Sequence, residues 1–312
     1  MTTPRKIVAL FGATGTAGRA TALSLLRSGH LVTAFGRRDP QIEGVNFRRT
    51  DVSSSFDLKR HDAVISCLTS RSGVAADAWA IDHAANLNVL AAAKAAGIPQ
   101  FLLLSAICVQ KPRLAFQHAK LAFEEALIGS SLTYTIIRPT AFYKSLSGQF
   151  DRLRAGRAFL MFGSGTHTAC KPISDRDLGD FIARCLTQEA CRDQILPIGG
   201  PGPALTPHAM GLALFKALGK TPKFKRIPLS IFTVIGGGLH LGSLVHSTLA
   251  QKAELARIGH YYASESMLLW DPIAQQYTAS GTPETGEDRL FQHYEALAAK
   301  GMSVDRGEHA IF

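Results

Sequence analysis

The first half of the chain alternates short runs of branched apolar residues with longer stretches of helical periodicity. KIVALFG (6–12) ends in a continuous apolar run closed by glycine, which predicts a buried strand. A helix is predicted over 16–28, stopped by Gly29. LVTAF (31–35) reads as a second strand, NFRRTDV (46–52) as a weaker third and DAVISCL (62–68) as a fourth. The alanine-rich stretch 75–96 predicts one long helix ending at Gly97. FLLLS (101–105) follows as a fifth strand, 114–128 as a helix, and LTYTIIRP (132–139) as a sixth strand closed by Pro139. Strand and helix repeated in this way predict an α/β fold of Rossmann type, a doubly wound parallel sheet with helices on both faces.

Beyond about residue 145 the rhythm breaks. Glycine and proline gather at GSG (163–165), GGPGP (199–203) and GGG (236–238). This predicts a smaller, mixed C-terminal region over 146–312, where α/β folds take substrate, with a strand and helix from about 160–200 returning to the first domain. There is no low-complexity linker and no internal repeat. The segment 227–251 carries no charged residue. Three readings stand for it: a bilayer span, a buried wall of an apolar pocket, or a peripheral membrane contact. Its glycines, serines, His240 and His246 favour the pocket wall over the span.

Composition narrows the class. The chain has 312 residues, 46% hydrophobic and 19% charged, the balance of an ordinary folded domain. The net charge of +10 admits nucleic acid, anionic membrane or anionic small molecules as partners. The basic residues are dispersed with no block of five, which argues against a nucleic-acid tail. Five scattered cysteines with no C-x-x-C pair suggest neither a zinc ribbon nor an iron–sulfur cluster, and fit a reducing cytoplasm. The apolar start runs straight into a glycine loop and reads as a strand rather than a signal peptide.

That loop carries the first chemistry. Gly12, Gly15 and Gly18 lie between the first strand and the first helix, with Thr14 and Thr16 between and beside them. Glycine permits the tight turn and lets a pyrophosphate approach the backbone, and the helix start turns its N–H groups toward the phosphates. An NAD site would place an acidic residue after the second strand. Here Gly36 is followed by Arg37 and Arg38, whose guanidinium groups suit a 2′-phosphate, so NADPH is the expected cofactor and 1–145 its domain. Asp51, after the third strand, either meets the adenine or caps a turn.

Several stretches resemble the extended, atypical short-chain dehydrogenase/reductases of NmrA-like type: the glycine loop, the strand end at Ser66, Cys67 and Leu68, IDHAANLNVLAAAKAAG (81–97), TIIRPTAFY (135–143) and KPISDRDLGDFIA (171–183). A narrower set, LLSAICVQKP (103–112), RPTAFYKSLSGQ (138–149), MFGSGTHTACKPIS (161–174), LPIGGPGPALTP (196–207) and IGHYYASESMLLWDP (258–272), is similar to the NADPH-dependent divinyl chlorophyllide 8-vinyl reductases. That likeness covers nearly the whole chain. It implies reduction of the 8-vinyl group of divinyl chlorophyllide or divinyl protochlorophyllide to ethyl, within chlorophyll or bacteriochlorophyll synthesis in photosynthesis. It also implies cofactor contacts at Cys67, Leu68, Ser105, Lys120 and Pro139.

The residues depart from the wider superfamily at one point. Where it carries Tyr-x-x-x-Lys, this chain has Phe116 and Lys120. Phenylalanine has no proton to give, so ordinary carbonyl–alcohol chemistry loses its acid. Reducing a conjugated C=C needs a donor elsewhere, and the candidates are Lys120, Tyr143, His118 and water. Lys120 matches the position that orients the nicotinamide ribose. Lys144 and Lys171 are candidate partners for the substrate carboxylate. His240 or His246 could reach the magnesium of a tetrapyrrole, although Mg²⁺ prefers oxygen ligands, and no protein metal site is expected. Two other readings use the same fold: an NADP-sensing regulator without turnover, and a membrane-associated accessory subunit.

Overall fold

The computed structural model describes residues 4–232 and 247–300. In chain order its strands are β1 (Ile7–Phe11), β2 (Leu31–Gly36), β3 (Val45–Arg49), β4 (Ala63–Ser66), β5 (Gln100–Leu104), β6 (Thr133–Pro139), β7 (Phe159–Phe162), β8 (Gln194–Ile198), β9 (Phe224–Ile227), β10 (Leu269–Asp271) and β11 (Gln276–Thr278). The helices are α1 (Thr16–Arg27), α2 (Ala75–Ala78), α3 (Asn86–Ala95), α4 (Ala115–Ile128), α5 (Tyr143–Leu146), α6 (Phe150–Arg154), α7 (Asp175–Cys185), α8 (Pro207–Ala217), α9 (Ser247–Ser264) and α10 (Leu290–Lys300). Two compact units result. The first takes in the described residues of Met1–Ser70, Ala75–Pro139 and Asp175–Ile198; the second takes in those of Arg71–Val74, Thr140–Ser174 and Gly199–Phe312.

The first unit is built on a seven-stranded sheet in the order β3-β2-β1-β4-β5-β6-β8, with every pairing parallel. The order reverses between β1 and β4, which opens a crevice at their C-terminal ends. β1 lies in register with both neighbours, Phe11 standing beside Phe35 and Ser66. Its residues Val8 to Phe11 are fully buried, as the apolar run requires. Phe11, Phe35, Val64, Phe101 and Phe123 belong to one apolar cluster. α1 ends where glycine predicts: Gly29 has φ +82°, its N–H donates to Leu26 and that of His30 to Leu25. α7 packs on α1 at Gly179, where a Cβ would stand 2.6 Å from the Ala20 carbonyl oxygen.

Three local differences from the sequence reading have physical causes. β3 stops at Arg49, because Asp51 folds the chain into a turn at Ser53. β4 stops at Ser66, so Cys67 and Leu68 lie in the loop after it. The expected single helix over 75–96 is interrupted by a π-helical stretch, Trp79–Ala85. Asn86 accounts for it: its Nδ2 donates to the carbonyls of Ile81 and Asp82 at 3.2 and 3.1 Å, taking up backbone acceptors of the turn before it.

In the second unit, β7 pairs with β9 in parallel and β10 with β11 antiparallel. α8 begins with Thr206 accepting from the Ala209 N–H and with Pro207 in the first turn. Among the described residues no helix is long and apolar enough to cross a membrane. Most of the uncharged 227–251 segment, including His240 and His246, lies outside the described residues.

Candidate active site

The glycine loop sits at the crevice between β1 and β4. Gly12 has φ +82°, and a Cβ there would come 2.5 Å from the Cys67 carbonyl oxygen. A Cβ on Gly18 would come 2.1 Å from the Gly12 carbonyl oxygen, so only glycine lets α1 start this close to β1. Gly15 differs. Its nearest neighbour would be 3.4 Å away, and it is exposed together with Thr14 and Thr16. Gly15 is the N-cap of α1 without a side-chain cap, so the first-turn N–H groups face outward without a competing acceptor from that residue. Backbone closure at Gly12 and Gly18, with an open, uncapped helix start at Gly15, is a cradle that fits a pyrophosphate.

Beside the loop, Thr14, Arg19, Arg38, Asp39, Pro40 and Gln41 line an open concavity of about 610 Å³. Arg38 is exposed, and Arg19 donates to the Pro40 carbonyl at 2.9 Å. Arg37 is not part of this lining. Its charge instead helps hold the Asp51 carboxyl below the usual range, after the larger effect of the Ser53 side-chain and backbone hydrogen bonds. Asp51 caps a turn, accepting from Ser53 N at 3.0 Å and Oγ at 2.7 Å. Arg19 escaped the sequence reading; its signal is the one-turn spacing from Gly15 on α1.

On α4, Lys120 is buried and its Nζ lies 2.8 Å from Asp82 Oδ1, a side chain with no exposed surface. Gln117 fixes the start of this helix: its Oε1 accepts from the Arg113 and Leu114 N–H groups, and its Nε2 donates to the Cys108 carbonyl. Phe116, one turn before Lys120, is buried. His118 stands two residues from Lys120, about 200° around the helix, and is exposed. The structure does not bring the two together. One turn beyond Lys120, Glu124 accepts a hydrogen bond from the Ser105 hydroxyl and pairs with Arg138. Ser105 thus spends its proton on Glu124 inside the protein. Pro139 closes β6 and is buried. Desolvation pushes the Cys67 thiol up to about 12, against the pull of a Thr21 hydrogen bond and the Lys120 charge, which favours the thiol over the thiolate. Asp82 and Glu124 were both missed from sequence.

In the second unit Tyr143 is buried, its hydroxyl donates to the Asp288 carbonyl at 2.5 Å, and its ring meets His293. A proton already given to a backbone acceptor is poorly placed for donation to substrate. Lys171 is buried and bound to Glu284 and to the Thr282 carbonyl, so its charge is already matched. Glu284 is held below the usual glutamate range, first by that Lys171 bond and then by the Gly202 N–H. Lys144 is half-buried on α5.

A parallel sheet with this strand order, a glycine cradle at its switch point and a basic concavity beside it define a nicotinamide-dinucleotide-binding protein. The NAD(P)H-binding family model matches residues 12–189. More narrowly, the chain belongs to the divinyl chlorophyllide a 8-vinyl-reductase family. It is 43% identical to the chloroplastic divinyl chlorophyllide a 8-vinyl-reductase of Zea mays, over 98% of this chain and 82% of that one. With the enzyme of the same name from Arabidopsis thaliana the identity is 41%, over 95% and 78%. Among solved structures, an NADPH-dependent quinone oxidoreductase from Escherichia coli complexed with NADPH superposes with a TM-score of 0.66 at 19% identity. The match covers 93% of this chain and 99% of that one and shows the shared fold.

Proposed function

We propose that this chain reduces the 8-vinyl group of divinyl chlorophyllide or divinyl protochlorophyllide to ethyl, with NADPH as the reductant. The observation that carries the reading is the identity above 40% to the named reductases, which runs through both units rather than through the dinucleotide fold alone. The loss of the superfamily tyrosine at Phe116 supports it, since that position has no phenol for carbonyl chemistry.

Gly12, Gly15 and Gly18 would hold the pyrophosphate on the start of α1. Arg38, with Arg19 beside it, would pair with a 2′-phosphate and so favour NADPH over NADH. Bound NADPH supplies the hydride for the vinyl carbon. Lys120, buried against Asp82, would hold its ammonium at the nicotinamide end of the site, on the face of α4 that Phe116 leaves without a hydroxyl. Of the proton-donor candidates it alone is a buried acid in the first unit; Tyr143 is committed to Asp288 and His118 faces solvent. The second unit, with Lys144 as a cation for the propionate, takes the macrocycle.

We place the chain in the cytoplasm, which its five free cysteines support. The test is direct. Purified protein, NADPH and divinyl chlorophyllide are mixed and the Soret band is followed. Loss of one conjugated vinyl moves the band to shorter wavelength as NADPH is consumed. A static band with NADPH tightly bound rejects the reading and favours a dinucleotide sensor.

A further inference from the structure

Asp82 falls within the 81–97 stretch that carries the family resemblance but has no role in the reductase reading, and its carboxylate meets the buried ammonium of Lys120. Its side chain has no exposed surface, and Oδ1 stands 2.8 Å from Lys120 Nζ. Oδ2 accepts from the Ser70 N–H at 3.3 Å. Its own carbonyl accepts from Asn86 Nδ2, and Asn86 in turn accepts from the Ser66 hydroxyl at 2.6 Å. The Asp82 backbone is thereby tied to the end of β4, the strand beside β1. The carboxylate is delivered by the π-helical stretch Trp79–Ala85, which packs against α4. Stretches of this kind are rare and concentrate at functional sites.

Two physical arguments turn this geometry into a role. A buried ion pair seldom stabilises a fold more than apolar side chains of the same volume would. Keeping one here points to a use for its geometry. Second, a long lysine side chain has many rotamers, and the residue one turn before it is Phe116, which offers no polar atom to hold the ammonium. Glu124, one turn after the lysine, is taken up by Ser105 and Arg138, so the carboxylate that meets the ammonium comes from another element.

We propose that Asp82 is the positioning residue for Lys120: it holds the ammonium in the one place from which it reaches the nicotinamide half of the cofactor. The proposal rests on the assignment of Lys120 to the cofactor, and its test needs no tetrapyrrole.

The experiment is a double-variant cycle on NADPH binding, read by the fluorescence of the reduced nicotinamide. The proteins are the full-length chain, Asp82→Asn, Lys120→Met and the double variant. Each single change weakens NADPH about ten-fold or more. The double variant binds no more weakly than Lys120→Met alone, because Asp82 acts only through the lysine. A merely structural Asp82 gives the opposite result, an equal further loss in the Lys120→Met background. That result overturns the proposal, as does an unchanged affinity in Asp82→Asn. Should Asp82→Asn not fold, Asp82→Glu serves as the second probe. It keeps the charge and displaces it by one methylene, so it costs affinity several-fold with Lys120 present and nothing with Lys120→Met. A loss that persists without the lysine again overturns the proposal. Failure of the vinyl-reduction reading would appear elsewhere, as a static Soret band with this binding cycle intact.

Discussion

At the scale of single residues, the site separates side chains that are open to ligands from those already spent within the protein. Arg38 belongs to the first kind. Replacing it with alanine removes a charge-assisted contact worth about 1.5–3 kcal/mol. NADPH should bind roughly ten-fold or more weakly and NADH should be unaffected, as read by parallel fluorescence titrations. Equal losses for both cofactors would place Arg38 away from the 2′-phosphate. Lys171 belongs to the second kind, because Glu284 holds it. The Glu284 carboxyl is lowered in the folded chain. Its stabilising contribution is therefore present above the ordinary glutamate value and lost as pH falls through the lowered one. Melting temperatures of the parent and of Glu284→Gln should differ at neutral pH and converge in acid. A gap that does not change with pH would show that the bond does not carry the difference. Lys171 illustrates a limit of reading a cation from sequence: its type was visible, and the carboxylate that neutralises it came from a distant stretch of chain.

At the scale of elements, most of the sheet was legible. β1, β2, β4 and β5 are short, mostly apolar runs, and the α1 stop at Gly29 follows from its positive φ. The π-helical stretch was not legible. An alanine-rich segment keeps the same composition whether its turns are α or π, and the cause is one side-chain amide, Asn86, bonding back to the backbone. The Asp82–Lys120 pair was hidden for the same reason, since no periodicity links two different helical segments. The glycine loop was plain because strand, turn and helix are contiguous there. Gly179 tests the packing that supports it. A Cβ at this position meets the backbone of α1, which cannot yield as a side-chain tip would. Gly179→Ala should cost about 1–3 kcal/mol, seen as a lower urea midpoint with an unchanged slope. An unaltered midpoint would mean that α1 and α7 can separate without cost.

At the scale of the whole molecule, the fold and the function rest on different parts of the chain. The first unit defines a dinucleotide site that many chemistries share. The family membership depends on likeness that continues through the second unit. The net charge of +10 suits a chain whose cofactor and proposed substrate are both anionic. The central claim is that hydride held at Gly12, Gly15 and Gly18 is delivered to a vinyl group. The most direct measurement uses NADPH carrying deuterium at the transferable position, with divinyl chlorophyllide as acceptor and mass spectrometry of the product. The account predicts a monovinyl product that has gained two hydrogens, with one deuterium in the new ethyl group. A product without deuterium, or recovery of unchanged substrate while NADPH stays bound, would contradict it.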